Sequence, residues 1–509
     1  MHLLAAKPGG FTDDEGIIDL DQSPAKIVIL SAADSTLAGL ARTVDQLEVP
    51  YPTIRLANWM QLIKPAAFDL YRSKTLDHAK VVVVSLLGGA SYWQYGFDQL
   101  LDWQEQDDGR TVVFVPGDDL EDITLFDNST IPLAQSRRIW RYLRQGGTSN
   151  NLNLLYFLAS QFLGYDFTWN EPEHLPHCLM YMPGSSLKHS QASYLDWQER
   201  WQGKSDKVCV VLFYRSHLQS SNTLMFDSFI KVLEGTGLQP LPIAITSLKD
   251  PESLAIVNAL IDQSNARIVI NTTGFASNGV SSPDLASQPS VFTSPFAKKI
   301  PVLQLVLSSS TEEDWSSSSQ GLRARDIAMQ VVLPEMDGRV HGRVVSFKSE
   351  AYWSEQCEMS VIRYSLHQER AKIVAELVHK YAQLSIKSNS EKKLALILAN
   401  YPTKDGRIGN GVGLDTPETT IKILKALKTN GYPICEIPGD GTELITELLG
   451  SVTNNPDTLH TLPCWQSIGL DQYRQYFSTL PQENQQQILS RWGFPQEDPK
   501  FRNGRLMLS

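Results

Sequence analysis

Residues 26–34 begin with the apolar run Lys26-Ile-Val-Ile-Leu30 and continue with the small and polar residues Ser31-Ala-Ala-Asp34. A short, β-branched run of this kind predicts a buried strand. The same order recurs at Val81-Val-Val-Val84 and at Thr111-Val-Val-Phe-Val115, and helical segments such as Ser35–Leu47 lie between the runs. Strand, turn and helix in alternation predict a parallel sheet with helices on its faces.

Two further segments repeat this alternation. One begins at Val208-Cys-Val-Val-Leu-Phe213, continues through Leu241–Ile245 and Arg267–Ile270, and ends in a predicted long helix over Val361–Leu384. The other opens at Lys393-Leu-Ala-Leu-Ile-Leu398 and has a helix that starts at Asp415 or Thr416. We therefore expect a multi-domain α/β protein that contains several parallel-sheet units with interspersed helices.

A length of 509 residues suggests about three domains, since one domain usually takes ~100–200 residues. The expected domains are an N-terminal α/β domain with a helical extension (residues 1–190), a central α/β domain that ends in a long helix (191–390) and the truncated start of a third α/β domain (391–509). The apolar residues after Arg505 predict a strand left open at the edge of a sheet.

Charge and motif content exclude several classes of function. The 56 acidic and 45 basic residues give a net charge of −11, which disfavours a nucleic-acid partner. The sequence shows no secretory signal, no apolar stretch long enough to span a membrane, and five scattered cysteines without a paired CxxC spacing. A reduced, cytoplasmic protein is expected. Because there is no P-loop, any step driven by ATP and Mg²⁺ would need a partner subunit that hydrolyses ATP.

The densest cluster of chemically active residues lies in residues 333–348. If the backbone around Glu335 and Asp337 is extended, both carboxylates point the same way and suit cation binding or proton transfer. If the chain is extended onward, Arg339, His341 and Arg343 share one face, which would present cationic donors beside those carboxylates. The alternative is a hairpin with a solvated, charged face, and the spacing alone favours it.

Two other positions are candidate ligand contacts. His217 follows a predicted strand in Phe213-Tyr-Arg215-Ser-His217, where loops of α/β proteins often hold ligands, although a lone histidine there is more often structural. The glycine-rich segment from Asn400 to Asp415 connects a predicted strand to a predicted helix, and its backbone N–H groups could receive an anion.

Several stretches resemble the large subunit of aerobic cobaltochelatase (CobN type), a family related to the magnesium chelatase H subunit. The resemblance runs in order along nearly the whole chain. It rests on His2–Gly10, Asp19–Pro24, Leu30–Asp34, Phe213–His217, Ser247–Asp250, Gly321–Asp326, Leu333–Arg339, Ser346–Lys348, Ala399–Pro402 and Gly413–Pro417.

The resemblance implies a protein that holds a tetrapyrrole, a corrin precursor of the hydrogenobyrinic acid diamide class, while Co²⁺ is inserted as a substrate. It implies an AAA+ ATPase subunit and an accessory chelatase subunit as partners. On this basis Glu335 and Asp337 are expected to handle protons or the cation, and His217 to contact the metal together with Glu335. The expected substrate-binding residues are Arg215, Arg339, His341, Arg343, Lys348 and Asp415.

Large subunits of this family are more than twice as long as this chain, so a short N-terminal form is expected. It would act within a complex rather than alone, and a separately encoded C-terminal half is a further expected partner. A tetrapyrrole or cobalt carrier without insertion activity, an inactive remnant, and a magnesium-chelatase H-type subunit remain as alternatives.

Overall fold

The computed structural model describes residues 3–5, 16–118, 120–184, 192–203, 206–277, 294–399, 405–453 and 455–508. These residues form two compact units, Met1–Ser385 and Ile386–Ser509. Among its described residues, the first unit contains a small two-stranded parallel sheet and two larger sheets, one fully parallel and one mostly parallel, and buried apolar clusters pack on both larger sheets. The predicted α/β class with parallel sheets is confirmed. The predicted three-domain division stays a prediction.

The first lobe of unit 1 is built on the strands that the apolar runs predict. Its elements are β1 (Leu3–Ala5), β2 (Ile17–Asp19), β3 (Ile27–Ser31), α1 (Asp34–Asp45), β4 (Ile54–Ala57), α2 (Pro65–Lys74), β5 (Val81–Leu86), α3 (Gln94–Glu105), β6 (Thr111–Pro116), α4 (Ile123–Asp127), α5 (Leu133–Gln145) and α6 (Gly147–Leu163). Strands β3 to β6 form a fully parallel sheet in the order β4-β3-β5-β6. Almost every residue of these four strands is buried, because helices cover both faces.

The second lobe has a larger sheet. Its elements are β7 (Cys178–Met180), α7 (Tyr194–Arg200), β8 (Val208–Tyr214), α8 (Ser216–Gln219), α9 (Leu224–Gly235), β9 (Gln239–Ile245), α10 (Pro251–Gln263), β10 (Ile268–Asn271), β11 (Val302–Leu307), α11 (Glu312–Ser317), α12 (Ala324–Ile327), α13 (Leu333–Glu335), β12 (Val340–Ser354), β13 (Met359–Leu366) and α14 (Gln368–Ile386). The strand order is β13-β12-β11-β10-β8-β9-β7. The five central strands are parallel, and an antiparallel strand lies at each end.

Strands β12 and β13 form a long hairpin that connects the two lobes. The hairpin pairs from Ser346 with Leu366 out to Ser354 with Met359. Near its tip, Cys357 and Val361 are fully buried in the core of the first lobe, among residues of β3, β4 and α1. We call residues 350–362 the hairpin arm. One piece of chain thus belongs to the sheet of one lobe and to the core of the other.

Two secondary-structure predictions, for residues 361–384 and 393–398, are wrong. The long helix expected over Val361–Leu384 begins only at Gln368, because Val361–Leu366 pairs with β12 as strand β13. The strand expected at Lys393–Leu398 does not form, and most of its residues are exposed.

The second unit contains α15 (Thr416–Thr429), α16 (Gly441–Leu449), β14 (Gln466–Gly469), α17 (Leu470–Phe477), α18 (Gln482–Trp492), β15 (Phe501–Arg502) and β16 (Arg505–Leu508). Helix α15 begins where the sequence predicts, with the Asp415 carboxylate capping Glu418 N–H. The open edge strand expected after Arg505 is wrong, because β16 is the central strand of a three-stranded sheet. No helix among the described residues is long and apolar enough to cross a membrane.

Candidate functional site

A cleft of about 600 Å³ lies in unit 1 where the carboxyl ends of the two parallel sheets face each other. The first lobe contributes the residues that follow β3 and β4, and the second contributes those that follow β8, β10 and β11. This edge is where open parallel sheets bind ligands. The lining includes Asp34, Asn58, Gln61, Tyr214, His217, Asn222, Phe275, Leu307, Arg323, Arg325, Asp326, Met329, Lys348, Ile362 and Tyr364.

An ion pair crosses between the lobes in this cleft. Lys348 Nζ on β12 lies 2.6 Å from the carboxylate of Asp34, which stands at the first position of α1. The side-chain amide of Asn58 donates to the same carboxylate at 2.7 Å. Burial opposes the charge of Lys348, but Asp34, Tyr364 and Asp326 outweigh it and hold the lysine pKa above its ordinary value. Lys348 therefore stays charged while it links the lobes.

A second carboxylate, Asp326, is also buried in the lining of the cleft. It accepts hydrogen bonds from the Ser309 N–H and hydroxyl, both at 2.9 Å, and from the Gln330 side chain at 3.3 Å. These donors fix the segment that carries Arg325 and Met329 against the end of β11. These hydrogen bonds hold Asp326 in place in the cleft wall. The neighbouring Arg325 is exposed.

His217 is the buried imidazole of the cleft wall, with 8% of its surface exposed. Its ring lies against the edges of Phe226 and Tyr364, at centroid distances of 4.9 and 5.4 Å. Burial lowers the pKa of His217 from 6.5 to about 4, so the ring is neutral at physiological pH. Nδ1 is buried without a hydrogen-bond partner among the described residues. A neutral imidazole can accept a proton, donate a hydrogen bond or bind a metal.

The structure does not bring Glu335 and Asp337 together. The backbone is a helical turn, α13 followed by a turn, and so the extended conformation that would align the two carboxylates is absent. The Glu335 side chain is 68% exposed and lies 3.7 Å from His341. The Asp337 side chain is fully buried. Neither residue lines the cleft. Their catalytic role stays a prediction.

Asp337 forms a buried ion pair with Arg339 at 2.5 Å, and the two side chains are 0% and 1% exposed. Asp337 also accepts from the N–H and hydroxyl of Ser277, both at 2.8 Å, and Arg339 donates to Gln304 at 3.0 Å. The extended face predicted for residues 339–343 is therefore wrong for Arg339, since its guanidinium is directed inward while His341 and Arg343 are exposed.

The remaining predicted positions are spread over the molecule. Arg215 is buried and donates to the carbonyls of Leu175 and Pro176 at 2.7 and 2.8 Å. Asp415 caps α15 in the second unit. Residues 400–404 of the glycine-rich segment lie outside the described residues, as do residues 2 and 6–10 of the opening stretch. Of the predicted site residues, His217 and Lys348 line the cleft together.

Sequence reasoning missed Asp34, Asn58, Arg325, Asp326 and Tyr364. Asp34 carries a usable signal, because it follows the first apolar strand in the small and polar stretch where a ligand edge is expected. Arg325 and Asp326 lie in Gly321–Asp326, one of the stretches that carry the family resemblance, whereas Asn58 and Tyr364 have no local signal and reach the cleft only through tertiary packing. Among the described residues, no group of three or more His, Cys, Asp or Glu side chains has the arrangement of a metal site. The five cysteines are free.

Comparison with known proteins identifies the family. The family model described as CobN/Magnesium Chelatase matches residues 140–508. The chain belongs to the CobN/magnesium chelatase family. The resemblance drawn from the sequence is thereby confirmed, and the match includes the second lobe of unit 1 and the described part of unit 2.

This CobN-family chain is more similar in sequence to two cobaltochelatase subunits than to a magnesium-chelatase subunit. It is 46% identical over 509 residues to the aerobic cobaltochelatase subunit CobN of Pseudomonas aeruginosa and 35% identical over 518 residues to that of Sinorhizobium sp. It is 24% identical over 356 residues to the chloroplastic magnesium-chelatase subunit ChlH of rice. The two CobN alignments cover 100% of this chain but only 40% and 39% of the relatives, so the chain spans about two fifths of their length.

A solved structure has the same architecture. The catalytic subunit of cobaltochelatase from Mycobacterium tuberculosis matches 95% of the CobN-family chain and 37% of its own length, with a TM-score of 0.58 and 26% sequence identity. The fold and the family are thus supported by sequence and by structure.

Proposed function

We propose that this chain is the tetrapyrrole-binding part of a cobaltochelatase large subunit, and that the cleft holds a corrin precursor of the hydrogenobyrinic acid diamide class while Co²⁺ is inserted. The observation that carries the proposal is a cleft of about 600 Å³, placed at the carboxyl ends of two parallel sheets in a chain 46% identical to a CobN subunit. Cobalt is a substrate in this proposal.

The cleft suits a flat macrocycle with polar side arms. Its volume falls within the ~300–1,000 Å³ usual for small-molecule sites. Apolar and aromatic side chains, such as Phe275, Met329 and Ile362, can pack against the ring face. Arg323 and Arg325 line the same cleft and can bind carboxylate arms.

Insertion also requires that the macrocycle lose its inner N–H protons and that Co²⁺ be transferred from water. His217 is neutral and therefore has a lone pair for a proton or for the metal. A tetrapyrrole supplies most ligands of the inserted metal itself, which suits a protein region in which no three-ligand metal site is described. Of the residues that the sequence predicts for the site, this proposal uses His217 as the proton or metal contact and Lys348 as a substrate contact, because both line the cleft. The roles predicted for Glu335, Asp337, Arg215, Arg339, His341, Arg343 and Asp415, which do not line the cleft, stay sequence predictions.

The proposed partners follow from the family and from the missing P-loop. An AAA+ ATPase subunit would hydrolyse ATP with Mg²⁺, and an accessory chelatase subunit would join the complex. The separately encoded C-terminal half that the resemblance implies is a further proposed partner. We place the complex in the cytoplasm, as the sequence predicts.

Binding is tested by titrating the purified full chain with metal-free hydrogenobyrinic acid diamide, followed by absorbance, with a metal-free porphyrin as the comparison ligand. We expect saturable binding that prefers the corrinoid. Arg325→Gln should weaken it about tenfold, because an ionic hydrogen bond is worth ~1.5–3 kcal/mol. Arg141→Gln, an exposed arginine on α5 outside the cleft, should bind as the parent does. A folded chain that binds neither ligand would contradict the proposal.

A tetrapyrrole carrier without insertion activity is the second candidate, because the cleft lining can bind a macrocycle whether or not a metal is inserted. The two functions differ in one assay. Saturable corrinoid binding combined with no cobalt insertion, even when the ATPase, the accessory subunit and the remaining CobN polypeptide are supplied, would identify a carrier. A magnesium-chelatase-type role would instead give magnesium insertion into a porphyrin.

A further inference from the structure

A second, smaller chamber of about 310 Å³ opens beside the cleft. It lies at the carboxyl ends of β3, β5, β6, β8 and β9. It shares Ala33, Ser35, Tyr214 and Ser216 with the lining of the cleft, so the two spaces are neighbours with common walls. We call this space the side chamber. A molecule in the cleft can therefore extend a side arm into it.

The side chamber is lined by hydroxyl groups from both lobes. Ser85 follows the core of β5 and is 8% exposed, yet its hydroxyl makes no hydrogen bond within the described residues. The hydroxyls of Ser35, Thr36 and Ser216 also line the chamber and have no described hydrogen-bond partner. The Ser85 hydroxyl is accessible from the chamber rather than enclosed in the protein interior, so it can hydrogen-bond to a ligand that enters the chamber.

Backbone and charge in the side chamber favour a negatively charged group. Helix α1 begins at the chamber wall without a side-chain cap, so the positive end of its dipole lies beside the chamber. The carboxylate of Asp34 in that turn is bound by Lys348 on the cleft side. Arg144 and Arg215 lie on the chamber wall, and Asp118 adds one carboxylate at its rim.

We propose that the side chamber binds a carboxylate arm of the macrocycle that occupies the cleft, through the hydroxyls of Ser35, Thr36, Ser85 and Ser216 and the N-terminal turn of α1. This inference rests on the proposed function and adds a specific subsite to it. Because the hydroxyls come from both lobes, one bound arm contacts both, and the arm fixes the rotation of the macrocycle in the cleft.

The test compares two forms of one ligand, metal-free hydrogenobyrinic acid diamide with its carboxylate arms free and the same compound with those arms esterified. The full chain should bind the free acid more tightly. Ser85→Ala and Ser216→Ala should each weaken binding of the free acid about tenfold, since hydrogen bonds to charged groups are strong. Neither variant should change binding of the ester.

Ser73→Ala is the matched control, because this exposed serine on α2 donates only to the carbonyl of Leu70 at 2.9 Å. It should bind both forms as the parent does, and the thermal melts of all three variants should agree with the parent. Equal binding of acid and ester, with no effect of the chamber variants, would overturn the carboxylate subsite and leave the proposed function intact. If neither form binds, both proposals are overturned.

Discussion

Asp337 and Arg339 form an ion pair from which water is excluded. Removing one member leaves the other charge buried without its partner, and such changes cost ~3–5 kcal/mol of unfolding free energy. We expect Asp337→Ala to lower stability by about this amount, measured by urea unfolding. Glu121→Ala, which breaks an exposed pair with Arg137, should cost less than ~1 kcal/mol. A small effect of Asp337→Ala would show that the pair does not stabilise the second lobe.

Unlike Asp337, Glu335 is largely exposed to solvent, and its carboxylate lies 3.7 Å from His341. Glu335→Ala should change the unfolding free energy by no more than ~0.5 kcal/mol. If Glu335 handles protons or the cation, the variant should lose cobalt insertion in the assembled chelatase but keep corrinoid binding. Full insertion by the folded variant would exclude Glu335 from the reaction.

His217 makes stability depend on pH. The pKa of His217 is about 4 in the folded chain and 6.5 when the side chain is exposed. At pH values between 4 and 6.5, the imidazole is therefore protonated in the unfolded chain and neutral in the folded chain. Stability therefore falls as the pH drops from about 6.5 to 4, by roughly 3 kcal/mol at most. His217→Leu should remove this part of the pH dependence in chemical unfolding measured at several pH values. An unchanged slope would contradict the burial of the ring.

The sequence locates some of these residues and not others, for a physical reason. His217 and Asp34 follow buried strands, so their place at the ligand edge can be predicted from local pattern alone. The pairing of Glu335 with Asp337 requires an extended backbone, and the helical turn at Leu333–Glu335 puts their side chains in different surroundings. Asn58 and Tyr364 reach the cleft through long-range packing that no local pattern encodes.

Among the elements, the hairpin arm carries several of the contacts that join the lobes. Glu358 accepts from Arg55 Nη2 at 2.5 Å and from the Ser23 N–H and hydroxyl at 2.6 and 2.7 Å. Burial raises the pKa of Glu358, but the donors at Ser23 and the charge of Arg55 outweigh it, so the pKa is lowered overall. The ionised carboxylate thus stabilises the docked arm.

Glu358→Gln should lower the unfolding free energy at neutral pH by about 2 kcal/mol, the scale of hydrogen bonds to a charged group. The difference from the parent should shrink as the pH falls through the lowered pKa of Glu358, because the parent then loses its charge as well. Glu355→Gln, an exposed neighbour in the turn, should stay within ~0.5 kcal/mol of the parent. A difference that persists in acid would contradict the charge-based role.

The same arm explains where element prediction failed. The apolar spacing at Ile362 and Leu366 continues into the helix, so the residues fit a helical pattern, but pairing with β12 overrides it. Lys393–Leu398 has the composition of a strand and no described strand beside it. A strand requires a hydrogen-bonded neighbour, which composition does not supply. The well-predicted strands β3, β5, β8 and β10 are central, and β6 lies at the edge of its sheet but is also buried, so apolar composition and buried environment agree in all five.

For the whole molecule, the division into two compact units predicts that the first is independent. A polypeptide of residues 1–385 should fold cooperatively and bind metal-free hydrogenobyrinic acid diamide as the full chain does, since every residue of the cleft lies within it. Circular dichroism, gel filtration and the same absorbance titration check this. Folding with loss of binding would mean that residues after 385 contribute to the site.

The burial of the hairpin arm in the first lobe also sets an order of events during synthesis. Most of that lobe is encoded before residue 170, yet its core includes Cys357 and Val361. At the usual ~5–20 residues per second, the intervening stretch of roughly 190 residues takes about 10–40 s to emerge from the ribosome. During this interval the hydrophobic core of the first lobe lacks Cys357 and Val361, and part of its apolar surface is exposed. A chaperone that shields exposed apolar surface would be needed most at this stage of synthesis.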